Sequence, residues 1–87
     1  MLTVTDAAVR HLAEILYDCE AADGMAIRFV HEGRTITPKL DHKRPGDTTY
    51  EHEGSAVLLL GEDVAEEIND KTLDIKDTDD GPQLILN

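Results

Sequence analysis

The sequence predicts a single α+β domain with mixed or antiparallel β-sheets, one long N-terminal helix and one short helix. Apolar residues recur at helical spacing near the N-terminus, later segments alternate apolar and polar side chains as strands do, and glycine-bearing turns separate those segments. Two domains within 87 residues would each be too small to build an unaided core. Residues 1–87 are therefore expected to share one core.

The long helix is expected to begin at Thr5, whose hydroxyl can accept a hydrogen bond from an unpaired backbone amide, with Asp6 in the first turn. Asp23 and Gly24 predict its end. The apolar stripe places Cys19 on the core-facing side, which predicts a small buried residue rather than a ligand. The stripe consists of Ala8, Leu12, Ile15, Leu16 and Cys19, and the exposed side carries Arg10, Glu14 and Asp18.

The rest of the chain predicts strands and one short helix. Two strands joined by Glu32, Gly33 and Arg34 predict a hairpin, in which Pro38 lacks a backbone donor and places its strand at an edge or a bulge. The short helix is expected to begin at Glu62, where acidic residues fill its first turn. The expected strands occupy residues 25–31, 35–41, 48–52, 55–60, 72–77 and 83–86.

Composition and charge exclude several classes of function. A net charge of −11 would repel a phosphate backbone, which disfavours nucleic-acid binding. The longest apolar stretch, residues 56–60, is far shorter than the roughly 20 residues that cross a bilayer. The first six residues do not have the composition of a targeting segment, so a cytoplasmic protein is expected.

The sequence contains one cysteine, Cys19. A single thiol excludes an internal disulfide framework and any zinc or iron-sulfur site that needs several cysteines from one chain. Ser55 is the only serine, and neither a nucleophile elbow nor a phosphate-binding glycine loop is present. The sequence therefore predicts that the protein is not an enzyme.

Three segments carry a resemblance to a known family. Residues 2–8 with the helix that follows, residues 54–77, and residues 81–87 are similar to the opening, the strand-helix-strand segment and the last strand of the HesB/IscA-like family, the A-type iron-sulfur cluster carriers. The resemblance implies one HesB-like domain spanning residues 1–87. It also implies a relation to iron-sulfur cluster assembly and self-association, commonly as a homodimer.

The family's ligand positions have no cysteine in this chain. In the family, one ligand cysteine lies in a glycine-rich segment after the first hairpin strand, and a Cys-Gly-Cys pair lies in the C-terminal tail. The first segment corresponds here to residues 31–35, which contain no cysteine, and the sequence through Asn87 contains no Cys-Gly-Cys pair. Because thiolates supply the charge and soft donors that a cluster needs, no cluster or other cofactor is expected.

Histidines raise an alternative, a weak site for divalent iron or zinc. His31 and Glu32 lie where the family has its first ligand, and His52 or Glu51 could join them from a neighbouring strand. The competing interpretation is that all four histidines are scattered over the surface, because their spacing matches no zinc motif. The sequence favours scattered imidazoles.

Four of the eight Lys and Arg residues fall within 14 residues. Arg34, Lys43 and Arg44 are candidate contacts for an acidic partner or a small anion, although an ordinary solvated loop would have the same composition. The leading hypothesis is a HesB-like domain that acts through protein contacts, with the iron-sulfur assembly machinery as the expected partner. The basic segment contains His31, Arg34, Lys39, His42, Lys43 and Arg44.

Overall fold

The computed structural model describes residues 2–21 and 24–87. Within these ranges the chain forms two helices and seven strands, in the order that the sequence predicts except for a short first strand that was not among the six expected. The elements are β1 (Thr3–Val4), α1 (Asp6–Asp18), β2 (Met25–Glu32), β3 (Thr35–His42), β4 (Thr48–His52), β5 (Ser55–Leu60), α2 (Glu62–Glu67), β6 (Thr72–Thr78) and β7 (Gly81–Leu86).

Helix α1 begins where the sequence predicts and ends earlier. The Thr5 hydroxyl accepts a hydrogen bond from the Ala8 amide at 3.2 Å, which confirms the expected N-cap. The helix ends at Asp18, because Glu20 takes a left-handed conformation with φ of 52° and turns the chain away from the helix axis. The predicted end at Gly24 was therefore too late, and Asp23 lies outside the described residues.

The strands form two mixed sheets, which confirms the predicted fold class. One sheet has the order β3-β2-β5-β4 and the other has the order β1-β6-β7. Strands β2 and β5 are parallel, as are β1 and β6, whereas the three hairpins are antiparallel. Strand β3 is an edge strand, as predicted from Pro38, which has no backbone N–H to donate. Its pairing with β2 continues in regular register through Pro38.

The β2–β3 hairpin is tighter than the sequence prediction. Glu32 pairs with Thr35, so the connecting turn contains two residues, Gly33 and Arg34, instead of three. Gly33 has a φ of 65°, in the region that glycine enters without a steric penalty. The hairpin therefore keeps strand geometry up to its tip.

The core lies between the two sheets and α1. Leu12, Leu58 and Leu73 are almost fully buried, and the Tyr50 hydroxyl donates a hydrogen bond to the Leu2 carbonyl at 2.8 Å. Thr5 joins α1 to the three-stranded sheet through a hydrogen bond from its hydroxyl to the Asp74 carboxylate at 2.9 Å. Neither helix in residues 2–21 and 24–87 is long and apolar enough to cross a membrane.

Candidate functional site

The tip of the β2–β3 hairpin is where the family resemblance places a first ligand. His31 Nε2 lies 2.5 Å from Glu67 Oε2 at the end of α2, and Glu32 Oε1 lies 2.9 Å from Lys39 Nζ. Successive residues of a strand point to opposite faces of the sheet. His31 and Glu32 therefore have different partners and do not converge on one point.

His52 is far from this tip. Strand β5 lies between β2 and β4, so β4 does not neighbour β2 as the metal hypothesis requires. His52 pairs with Ser55 at one end of β5, whereas Phe29 pairs with Leu60 at the other end, and His31 lies two residues beyond Phe29. At a rise of ~3.3 Å per residue, His31 and His52 are roughly 23 Å apart along the sheet.

The alternative metal site of His31, Glu32 and His52 is therefore not assembled in the structure. Glu51, the other candidate from β4, is exposed near the same end as His52. Across the described part of the chain, no three His, Cys, Asp or Glu side chains come close enough to hold a metal ion.

Cys19 is exposed, and the prediction that it is buried was wrong. It caps the C-terminus of α1, where its amide donates a hydrogen bond to the Ile15 carbonyl at 3.0 Å. Because the helix ends at Asp18, the apolar stripe does not continue to this residue. The end of α1 that precedes Cys19 borders the same depression as Met25 at the start of β2. Glu32 at the hairpin tip is seven residues, or roughly 23 Å, further along that strand.

The donor set of the described residues does not fit an iron-sulfur cluster. Its only cysteine is Cys19, and Cys19 lies at the end of the domain opposite the hairpin tip. The side chains at the tip are imidazole, carboxylate and guanidinium groups, which are poor replacements for thiolates on iron-sulfur centres.

The three basic residues predicted to contact a partner do not form one patch. Arg34 lies in the turn before β3, whereas Lys43 and Arg44 follow the other end of that strand. The eight residues of β3 lie between Arg34 and Lys43, which at ~3.3 Å per residue places these two residues roughly 30 Å apart. Arg44 Nη2 is also 2.6 Å from Asp41 Oδ2, so part of its charge is balanced within the domain.

Arg28 forms a buried ionic cluster that sequence reasoning missed. Its side chain is only 7% exposed and binds Asp47 through both terminal nitrogens, with Nη1 at 2.8 Å from Oδ1. Arg28 Nε donates to Asp41 at 2.9 Å, and Nη2 also donates to the His42 carbonyl at 3.1 Å. The amide of Arg44 donates to Asp47 at 2.7 Å, which fixes the loop between β3 and β4 on the sheet.

The charges in this cluster shift one another's pKa. The hydrogen bonds from Arg28 lower the pKa of the Asp47 carboxyl, and the bond to Asp47 raises the pKa of Arg28. The His42 backbone amide is the main cause that lowers the pKa of Asp41, with Arg28 adding to it. An arginine among the apolar residues of a predicted strand was the signal that could have revealed the cluster.

Two clefts lie near the hairpin. One of about 450 Å³ is bordered by Arg28, His31, Arg44 and Asp47, whose polar groups already contact side chains of the domain. The other is an apolar cleft of about 230 Å³ between the edge strands of the two sheets. Its lining residues are Phe29, Ile36, Pro38, Leu73, Leu84, Ile85 and Leu86.

Comparison with known proteins identifies the fold. No family model matches the sequence, and no curated protein matches it significantly. Escherichia coli SufA, described as involved in the biosynthesis of iron-sulfur clusters, superposes with a TM-score of 0.72 over 99% of this chain and 83% of its own, at 21% identity. IscA, solved with a [2Fe-2S] cluster, superposes with a TM-score of 0.64 over 100% of this chain and 84% of its own, at 19% identity. The chain therefore has the HesB-like fold that its sequence pattern predicts.

Proposed function

We propose that this domain is related to the iron-sulfur cluster assembly proteins whose fold it shares, and that it acts through protein contacts instead of carrying a cysteine-ligated cluster. One observation carries the proposal: the fold is that of SufA and IscA, while the single cysteine, Cys19, lies at the end of the domain opposite the hairpin tip. Fold alone does not fix function, so the donor chemistry decides what the domain can hold.

The ligand chemistry supports the part of the proposal that concerns the cluster, namely that the domain does not carry one. A cluster commonly needs four thiolates, whereas two copies of this chain would bring at most two Cys19 thiolates together. Those thiolates would lie at the C-terminal ends of two α1 helices, away from the hairpin tips. The domain is accordingly proposed to bind no cofactor and to catalyse no reaction.

Protein contacts remain as the proposed mode of action, in the cytoplasm and with the iron-sulfur assembly machinery as partner. Arg34 and Lys43 are the exposed basic side chains offered for such contacts, and Arg44 contributes less because it also binds Asp41. Self-association is proposed as well, because β3 and β7 are edge strands with unpaired backbone groups.

Anaerobic reconstitution with iron and sulfide tests the proposal. The expected result is no stoichiometric chromophore, with the same faint absorbance in the wild type and in Cys19→Ser. SufA treated in parallel serves as the positive control. A stoichiometric chromophore in the wild type that disappears in Cys19→Ser would contradict the proposal.

A second candidate function is weak binding of divalent iron or zinc by histidine and carboxylate side chains. The close approach of His31 Nε2 to Glu67 Oε2 favours it, because an imidazole beside a carboxylate is a common half of a metal site. Glu32 and His52, the other proposed ligands, would have to come from a rearranged or second chain. A stability increase with zinc or iron(II) that is lost in His31→Ala would support this candidate.

A further inference from the structure

The C-terminal end of α1 carries the most exposed large apolar side chain of the described residues. Tyr17 is 84% exposed, compared with 41% for Leu40. Single exposed apolar residues are ordinary on protein surfaces, so exposure alone indicates nothing. Tyrosine is nevertheless a side chain that protein interfaces favour, because a rigid ring with a polar tip buries much area at little entropic cost.

The surface on either side of Tyr17 is concave. A depression of about 450 Å³ lies between the end of α1, the start of β2 and the β4–β5 turn, and Leu16, Met25 and Val57 form part of its apolar floor. A second depression of about 440 Å³ on the outer side of α1 also has Tyr17, Ala13 and His52 in its wall. Tyr17 therefore borders two neighbouring hollows, one of which has apolar side chains in its lining.

Carboxylates outnumber basic groups around these hollows. Glu14, Asp18 and Glu53 line the second depression together with one basic residue, Arg10, and Glu20 borders a third hollow beside Tyr17. Among the residues that the structure describes, Glu14, Asp18 and Glu20 form no ion pair, and Glu53 approaches only His52, at 4.0 Å.

The position of these acids is unfavourable for the isolated domain. The C-terminus of a helix carries the negative end of the helix dipole, and the last turn of α1 contains no basic residue that would compensate it. Asp18 adds a negative charge in that turn. Glu20 adds another at a left-handed position where glycine or asparagine is preferred. A cationic group from another molecule would relieve this concentration of negative charge.

We propose that the Tyr17 surface, defined as Tyr17 with Leu16, Glu14, Asp18 and Glu53, binds a basic and partly apolar segment of a partner protein. An apolar side chain of that segment fills the hollow beside Leu16. Lysine or arginine side chains pair with the carboxylates and stack on the Tyr17 ring. The inference rests on the proposed function only in its claim that the domain acts through protein contacts.

The negative charge of the Tyr17 surface favours a basic protein segment over a second copy of this chain, a nucleic acid or a membrane. A second copy that met this surface through its own Tyr17 surface, as a two-fold symmetric contact requires, would place carboxylates against carboxylates. Nucleic acid and anionic membrane surfaces are repelled for the same reason. A basic segment that also carries an apolar side chain complements both the apolar floor and the acidic rim.

Selection from a random-peptide library displayed on phage, with the full-length chain immobilised, tests the proposal. Enriched peptides would be synthesised with a fluorescent label and titrated by anisotropy at physiological salt. The variants are Tyr17→Ser and the double variant Glu14→Gln/Asp18→Asn. The matched control, Asp77→Asn/Asp79→Asn, removes the same charge from two exposed residues near the β6–β7 turn.

Enriched peptides are expected to carry lysine or arginine next to an apolar residue. Their Kd should rise about tenfold in Tyr17→Ser and at least as much in Glu14→Gln/Asp18→Asn. The control should stay within about twofold of the wild type, because distant surface charges are screened by salt. Since Tyr17 is mostly exposed, its replacement should leave the far-UV circular dichroism spectrum and the thermal midpoint unchanged.

Several results would overturn the proposal. In the selection, these are a library that gives no saturable binders, or enriched peptides that are neutral or acidic. In the titrations, these are a Kd for Tyr17→Ser equal to that of the wild type, or a control that weakens binding as much as Glu14→Gln/Asp18→Asn does. Self-association of the chain that depends on Tyr17 would also overturn it. A cluster reconstituted on Cys19 would instead contradict the proposed function, whereas peptide binding is measured on the chain without added iron or sulfide and does not depend on that result. The two failures are therefore distinguishable.

Discussion

Replacement of Asp47 by alanine tests the role of the buried cluster. In the folded protein the Asp47 side chain is 4% exposed and accepts two hydrogen bonds from Arg28 and one from the Arg44 amide. Its removal leaves the Arg28 guanidinium buried with only Asp41 as a charged partner. Breaking one side of a buried ion pair costs about 3 to 5 kcal/mol, and the remaining Asp41 contact favours the lower end.

That loss is large compared with the stability of so small a domain. At ~0.05 to 0.15 kcal/mol per residue, 87 residues give a free energy of unfolding of about 4 to 13 kcal/mol. With a urea m-value of about 1 to 1.5 kcal/mol/M, a loss of about 3 kcal/mol lowers the urea midpoint by roughly 2 to 3 M. Far-UV circular dichroism measures this shift without a tryptophan probe.

The pH dependence supplies a second test of the same cluster. Because Arg28 lowers the pKa of Asp47 in the folded state, the unfolded chain binds the proton more readily, and stability rises with pH in this window. The contribution is complete above the ordinary aspartate pKa of about 4 and is lost as pH falls through the lower folded value. The stability difference between wild type and Asp47→Asn should therefore shrink below about pH 4.

Asp79→Asn is the matched control for both measurements. It removes one carboxylate charge from an exposed turn residue and should change the free energy of unfolding by no more than about 0.5 kcal/mol. A loss below about 1 kcal/mol in Asp47→Ala would refute the conclusion that this pair is buried and needed. A wild-type to Asp47→Asn difference that stays constant from neutral pH to about pH 3 would refute the electrostatic explanation.

Three other substitutions test separate parts of the account. Thr5→Ala should lose about 0.5 to 2 kcal/mol of unfolding free energy because it removes the α1 N-cap and the bond to Asp74, and urea titration should show a smaller loss in Thr5→Ser. Tyr50→Phe should lose about 0.5 to 1.5 kcal/mol at neutral pH by removing the hydrogen bond to the Leu2 carbonyl. Burial raises the pKa of Tyr50, so the stabilisation from its hydrogen bond is complete below about pH 10 and is lost as pH rises through the higher folded value. The difference in unfolding free energy between wild type and Tyr50→Phe should therefore narrow above about pH 10. A difference that does not change with pH would contradict the assignment to the Tyr50 hydroxyl. Added zinc should shift the thermal midpoint only slightly, and by the same amount in wild type and in His31→Ala, because His31 and His52 lie at opposite ends of the sheet. A shift seen only in the wild type would favour the metal-binding alternative.

Local patterns in the sequence predicted most of the elements. The Thr5 cap and the edge position of the strand that contains Pro38 follow from rules that act within a few residues, and the structure confirms both. The end of α1 was missed because Glu20 adopts a left-handed conformation that its residue type does not predict. Cys19 is exposed for the same reason.

Long-range contacts were beyond the reach of those patterns. The parallel pairing of β2 with β5 inserts a strand before β4, and this moves His52 away from His31. Arg28 and Asp47 lie 19 residues apart in sequence and meet only because the loop after β3 folds back over the sheet. Periodicity indicates which face of a strand is buried, but it does not indicate which distant loop covers that face.

The central claim is that this HesB-like domain holds no cysteine-ligated iron-sulfur cluster. Iron and acid-labile sulfide measured per chain in protein isolated anaerobically from its own cells tests it most directly. We expect both to be far below one per chain and the protein to be colourless, because the lone thiol of Cys19 offers too few donors. A brown protein with iron and sulfide in near-equal amounts, close to whole numbers per chain, would contradict the claim.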